Sequence, residues 1–341
     1  MWLGFRCYRR GMKIWSLQVL RFCAALAVVV YHADTAIFQT THRFGVLGAD
    51  GAVFGRAGVD VFFVLSGVII ALTSKGLTVG EFAARRARRI LPLYALFTLL
   101  YLAGGAVAGG GFGWREVVTS LTLWPALDRM VIPVLPVAWT LCFEALFYAG
   151  TALVIWRPRL IWLLAAAFVA ALTLRAGPVL QFVGNPLIFE FLMGVALARL
   201  PPWRGAIALI PIGVAAAWFL GRAGYLASLN VPDFLDGTMA WSRVLYLGLP
   251  AAMVVWGAMQ IKAREGLLTY LGDASYALYL VHLPVVLTVV WALCRFTALP
   301  PDAVAIAAAG ASVLLGWRVH ELFEKPMLRW LRRPAMAAVP A

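Results

Sequence analysis

The chain has 341 residues, 63% of them hydrophobic and only 13% charged, with a mean hydropathy of +0.88. Soluble domains hold about 45–50% apolar and about 25% charged residues, so a soluble fold is excluded; a bilayer absorbs the excess through runs of roughly 20 apolar residues. The formal net charge of +14 does not signal nucleic acid, because the basic residues fall between apolar runs, where the positive-inside rule accounts for them.

In chain order, the opening MWLGFRCYRRGMKIW is basic, and the apolar run after it is similar to a signal peptide. That run exceeds the usual h-region and carries Arg21 and His32, so it reads as a retained first helix. Met12 opens a more usual beginning, which would make residues 1–11 an artefact of the start site. Ten spans are predicted, at 17–37, 57–73, 90–109, 136–156, 160–175, 182–199, 205–221, 243–261, 270–293 and 302–322. Breakers such as Gly109-Gly110-Gly111, Pro201-Pro202 and Pro300-Pro301 separate them. The fifth and seventh are short. The expected architecture is an all-α polytopic membrane protein: a segment 1–16, a ten-helix domain 17–322 and a short basic tail 323–341.

Ten spans place both termini on one side. Of the 29 Lys and Arg, the alternation leaves only Arg43, Arg56, Arg115, Arg129, Arg175, Arg222, Arg243 and Arg295 on the other. The excess puts both termini in the cytoplasm, as in a multi-pass protein of a bacterial inner membrane. Cys7, Cys23, Cys142 and Cys294 show no CxxC spacing and form neither a metal site nor a disulfide framework; buried packing is expected.

Ionisable groups inside a span cost at least about 2.5–3.5 kcal/mol on insertion scales, which makes each a functional candidate. At 1.5 Å per residue, His32 lies roughly 22 Å from the cytoplasmic edge, and Glu144 and His282 about 18 Å from it. The three share one layer, and Asp60 sits near the outer end of the second span. A His that titrates near neutrality can take a hydroxyl proton, and a neighbouring carboxylate can fix its tautomer. Hydrogen bonds that merely join helices are the alternative role for these residues, and it explains any one of them better than all three at one depth. Arg21 lies eleven residues before His32, so both share a helix face about 16 Å apart. A long donor with an anionic head and a reactive tip fits this spacing, and coenzyme A thioesters have that shape.

The third span opens with Glu81-Phe82-Ala83-Ala84-Arg85-Arg86-Ala87-Arg88-Arg89. Arg85/Arg88 and Arg86/Arg89 are i,i+3 pairs suited to bidentate phosphate binding, or to anchoring topology on lipid headgroups. Ser275, Tyr279 and His282 form a polar stripe on the ninth span. His42 and His320 are expected at solvated surface, and Glu321 and Glu324 beside nearby Arg and Lys.

Five stretches carry a resemblance: LQVLRFCAALAVVVYH (17–32), GVDVFFVLSGVII (58–70), FAARRARRILPLY (82–94), WTLCFEALFY (139–148) and LGDASYALYLVHLP (271–284). With HELFEKP (320–326), they resemble the membrane-bound acyltransferase 3 family in order and separation. The resemblance implies an O-acyltransferase using acyl-CoA as co-substrate, with acetyl-CoA the expected form, no permanently bound cofactor and no metal. The acceptor would be an extracytoplasmic glycan, antibiotic or lipid-linked saccharide. By the family's pattern His32 is catalytic, and Arg21, Arg85 and Arg88 handle the donor, with Arg86 and Arg89 a second register of the same motif. Many relatives carry an extra helix and a hydrolase-like domain; this chain is similar to the stand-alone, exopolysaccharide-type subgroup. Two alternatives stand beside this reading. One is a glycan transporter or flippase, although no internal repeat is visible. The other is an acyl relay to a separate transferase.

Overall fold

The computed structural model describes residues 14–45, 48–107, 109–224 and 231–331, without the side chains of 49–53 and 221–224. Cys7, the basic residues before Ile14 and the tail from Arg332 lie outside the described residues. Among those described the architecture is all helical, apart from an isolated bridge between Ala126 and Met130.

The long apolar helices are α1 (Trp15–Thr41), α2 (Gly48–Thr73) and α3 (Val79–Val107), followed by a short amphipathic α4 (Trp114–Thr122). Next come α5 (Trp139–Trp156), α6 (Leu160–Leu174), the pair α7 (Gly177–Val183) and α8 (Ile188–Leu197), and α9 (Leu209–Gly224). Short α10 (Val231–Leu235) and α11 (Ala240–Arg243) lead into α12 (Leu249–Met259) and α13 (Leu267–Asp273). Finally α14 (Ser275–Phe296), α15 (Pro301–Val319) and α16 (Lys325–Leu331) complete the described chain. Two π-helical turns, Val244–Gly248 and His320–Glu324, join α11 to α12 and α15 to α16.

Eight helical stretches among the described residues are long and apolar enough to cross a membrane. The expected fifth and seventh spans correspond to the shorter apolar helices Leu160–Leu174 and Arg204–Leu220. The 15 residues of α6 reach about 22 Å, less than a hydrocarbon core of about 30 Å.

The third span begins earlier than hydropathy predicts. Thr78 and Glu81 form a reciprocal capping box: the Thr78 N–H donates to Glu81 Oε2 at 2.9 Å and the Glu81 N–H to Thr78 Oγ1 at 3.2 Å. That cap starts α3 at Val79, so the four arginines ride on the first turns of the helix, as their i,i+3 pairing requires. At the other end of the chain, the last helix continues through the second π turn to Leu331, past the expected boundary.

Close helix crossings rest on glycine. A Cβ at Gly58 would lie 2.3 Å from the Ala24 carbonyl oxygen, so α1 and α2 approach backbone to backbone. At the α2–α8 crossing, Gly67 and Gly194 face each other, and a Cβ on either would lie 2.0 Å from a carbonyl oxygen of the other helix. Small-residue crossings of this kind let dispersion and weak polar contacts replace the hydrophobic drive that lipid cannot supply. α1 is the hub: it packs on α2, α13, α14 and α15, while α5 packs chiefly on α3. Phe63, Phe143, Phe182 and Phe191 are fully buried and join α2, α5, α7 and α8 through ring contacts.

Candidate active site

A cavity of about 760 Å³ opens between the starts of α1, α3 and α14 and the end of α2. Its mouth carries Arg21, Arg85, Arg86, Arg88 and Arg89, and Glu144 with Ser66 lies further in. Val59, Thr140 and Tyr279 also line it. All five arginines singled out in the sequence therefore converge, from two helices whose N-terminal ends lie at the same end of the bundle.

The two arginine registers differ in exposure. Arg86 and Arg89 are half-buried, whereas Arg85 and Arg88 lie further out at the rim. Arg86 donates to Thr73 Oγ1 at 3.1 Å and stacks 5.9 Å from the rings of Phe82 and Tyr148. Arg86 Nε, Arg89 Nη2, Gln18 Oε1 and Ser275 Oγ are buried polar atoms with no hydrogen-bond partner among the described residues. Buried polar groups normally find partners, and a polar ligand in this cavity would supply them.

Glu144 does not join the histidines. It accepts a hydrogen bond from Ser66 and lies within electrostatic reach of Arg21, Arg86 and Arg89. A shared depth along the membrane normal says nothing about direction around the bundle. α5 faces α3, while α14 packs directly against α1.

His282 is the residue that meets His32. Their ring centroids are 5.1 Å apart, with His282 fully buried and His32 half-buried. His282 Nδ1 lies 2.7 Å from the Tyr279 carbonyl oxygen. A carbonyl only accepts, so Nδ1 donates and the neutral ring keeps an unprotonated Nε2; that atom is buried without a partner among the described residues. Tyr279 ties this layer to the cavity: its ring is 5.7 Å from His282, and its hydroxyl donates to the Val137 carbonyl at 2.9 Å and meets Thr140 Oγ1 at 3.0 Å. The His pair thus sits one helical turn beyond the Tyr279–Thr140 layer, on the side away from the arginines. The polar stripe Ser275–Tyr279–His282 runs along that path.

Three charged groups sit where the sequence pattern does not place them. Arg243 and Arg56 belong by alternation to the outer, loop-side set, yet they are only 2% and 4% exposed, and Glu190 is fully buried. Arg243 makes a bidentate pair with Asp60 at 2.8 and 2.9 Å and lies over the rings of Phe234 and Trp139, 4.9 and 5.5 Å from their centroids. Glu190 is in electrostatic contact with Asp60 and Arg243. A glutamate within an apolar span is the signal the sequence carries for Glu190; its partnership with Asp60, on another helix, has no local signature.

Other expectations change as well. His320 is buried and pairs with Glu324 at 2.6 Å instead of lying at solvated surface, because the π turn directs both inward. Glu321 pairs with Lys325 and also accepts from Tyr270. Cys142 is buried as expected, but Cys23 is exposed on the outer face of α1 and Cys294 is intermediate.

Residues 14–319, which hold every one of the predicted site positions, match the acyltransferase domain of the acyltransferase 3 family. The exopolysaccharide production protein ExoZ of Rhizobium meliloti is 32% identical over 320 residues, covering 88% of this chain and 95% of the relative. Acyltransferase MdmB of Streptomyces mycarofaciens is 26% identical, covering 96% of each. Peptidoglycan O-acetyltransferase OatA of Listeria monocytogenes is 26% identical, covering 80% of this chain and 49% of the relative. No solved structure matches the chain. With a family match over nearly all of its described length and an arginine-lined cavity leading toward two apposed histidines, the chain belongs to the acyltransferase 3 family and is a membrane O-acyltransferase.

Proposed function

We propose that the donor is cytoplasmic acyl-CoA, with acetyl as the acyl group, and that the acceptor is a hydroxyl of a glycan or lipid-linked saccharide at a bacterial inner membrane. The observation that carries the donor is the cavity: cations at its mouth, partnerless donors along its wall, and an inner end at Tyr279, one turn from the His pair. Arg86 and Arg89, with Arg21, hold the phosphates. Glu144 keeps those guanidiniums apart and oriented. Pantetheine threads past Ser275 toward Tyr279, and the thioester comes up to His32.

His32 acts as general base, a role typically worth 10²–10⁴-fold. Its imidazole takes the acceptor proton as the acceptor oxygen attacks the thioester carbon, then returns that proton to the departing thiolate. His282, locked as the Nδ1–H tautomer by the Tyr279 carbonyl, holds the ring of His32 in place. A saccharide acceptor agrees with the words exopolysaccharide and peptidoglycan in the names of two relatives. The basic residues at the arginine end support its facing the cytoplasm.

The test is the mass of ester-linked groups on surface glycans from a deletion strain complemented with wild type or with His32→Ala at matched protein levels. Acylation restored by wild type and not by His32→Ala is the expected result; full acylation by His32→Ala removes the reading. Incubating purified protein with acetyl-CoA and glycan from the deletion strain separates direct transfer from a relay, since a relay alone leaves the glycan unchanged.

A further inference from the structure

Arg56 stands level with His32 for reasons that are purely geometric. α1 and α2 run antiparallel with their backbones in near contact. A Cβ at Gly55 would lie 2.5 Å from the Ala27 carbonyl oxygen and 2.7 Å from Tyr31 Cβ. One residue on, the Arg56 guanidinium carbon lies 4.9 Å from the Tyr31 ring centroid, and the Tyr31 ring is 4.7 Å from that of His32. Val59, one turn along α2 from Arg56, lines the donor cavity. Arg56 is thus within electrostatic reach of His32, a turn beyond the cavity wall.

The backbone of α2 at this point is held from behind. Arg243 Nη2 donates to the Arg56 carbonyl at 3.3 Å while the same guanidinium grips Asp60, which lies one helical turn from Arg56. Arg243, the last residue of α11, thereby braces the stretch 56–60 of α2. A buried cation on a braced helix, next to the proposed base, is the arrangement that stabilises negative charge developing on a carbonyl oxygen. Such preorganised charge acts in a water-poor site and needs no reorganisation during the reaction.

We propose that Arg56 is a further catalytic residue, the cation that faces the thioester oxygen during transfer. This rests on the reading of His32 as base. The acceptor oxygen bonds to the thioester carbon as its proton passes to His32. The C=O π pair moves onto oxygen, and Arg56 stabilises that oxyanion. The pair then re-forms C=O, the C–S bond breaks, and the CoA thiolate takes the proton back from His32. Asp60 and Arg243 are positioning residues, acting through Arg56. The arginines of the cavity mouth, by contrast, act on the donor's phosphates.

The test uses purified full-length protein, acetyl-CoA as donor and glycan extracted from a deletion strain as acceptor, with thiol release followed in time. Removing one oxyanion partner typically lowers kcat by about 10²–10³-fold. Arg56→Gln is expected to show that loss with calorimetric CoA affinity within about twofold of wild type. Arg56→Lys, which keeps the charge, is expected to recover at least tenfold over Arg56→Gln. Should Arg56→Gln not insert, infrared spectroscopy of carbonyl-labelled acetyl-CoA bound to His32→Ala protein decides. The carbonyl stretch shifts to lower wavenumber than in free acetyl-CoA, and the shift shrinks when Arg56→Lys is added. Wild-type kcat in Arg56→Gln, equal losses in the Gln and Lys variants, or an unshifted carbonyl would each overturn the proposal. His32→Ala assayed in parallel keeps the two readings apart: an active His32→Ala defeats the base assignment, whereas an inactive His32→Ala beside an active Arg56→Gln defeats Arg56 alone.

Discussion

Arg86 and Arg85 are neighbours in sequence but meet different surroundings, because one helical step turns a side chain by about 100°. Arg86 and Arg89 face the cavity wall, and Arg85 and Arg88 sit at its rim. Replacing Arg86 or Arg89 by alanine is expected to cost about 1.5–3 kcal/mol of donor binding, or roughly 10- to 150-fold in CoA affinity by calorimetry. Lysine restores only part of it, for want of the bidentate fork. Arg85→Ala and Arg88→Ala should cost less than either inward variant. Equal losses at all four positions would mean that the rim contributes as much as the wall. His282→Gln belongs to the same scale: kcat falls by less than in His32→Ala, with CoA affinity held.

At the scale of elements, the start of α3 links a local cap to the proposed donor site. Thr78→Ala removes one half of the capping box and costs about 1 kcal/mol. The first turns of α3 then fray, and the inward arginines lose their common direction. The expected readout is weaker CoA binding with unchanged kcat at saturating donor, although Thr78 does not line the cavity. The capping pattern Thr78-x-x-Glu81 is plain in the sequence, but hydropathy, which locates spans, rises only after the arginines and so starts the third span too late. Glu144 departs from its expected place for a related reason: rise per residue gives depth, but facing depends on which helices pack together. Arg56 and Arg243 look like loop charges in the sequence because their partners lie on other helices, invisible to any local pattern. The hydrophobic runs themselves, their breakers and the convergence of Arg21 with the α3 arginines are legible.

The loop between α4 and α5 offers a pH test outside the membrane. Arg115 holds Asp128 through a forked contact, and that hydrogen bond pulls the carboxyl down to about 2. A carboxyl depressed in the folded state stabilises above its ordinary range and loses that stabilisation only as pH falls through the depressed value. Exchange protection of this exposed loop should therefore stay constant from neutral pH down to about 4 in wild type. Asp128→Asn should lower protection across the whole interval. A wild-type loop that loosens on acidification to that point would argue against a persistent tether.

For the molecule as a whole, the direction of the cavity is the property on which the proposed cytoplasmic donor depends. Cysteines introduced at Arg43 and at Lys262, in a chain freed of its native cysteines, report it by labelling with an impermeant maleimide. Labelling at 43 in intact spheroplasts, and at 262 only after permeabilisation, is the expected pattern; the reverse would turn the arginine mouth outward and leave acyl-CoA without access. The same protein carries a further constraint in its two π turns. A π turn holds one residue more than the α-helix would need to span the same rise, and deleting that residue returns the helix to ordinary winding. Shortening Val244–Gly248 by one residue would leave the hydropathy of the stretch Ala240–Met259 almost untouched. It would nevertheless swing Arg243 about 100° relative to α12, away from Asp60. A change of length at that point is thus a far harsher change than a conservative apolar substitution nearby, because it alters the phase of the segment and not merely its letters.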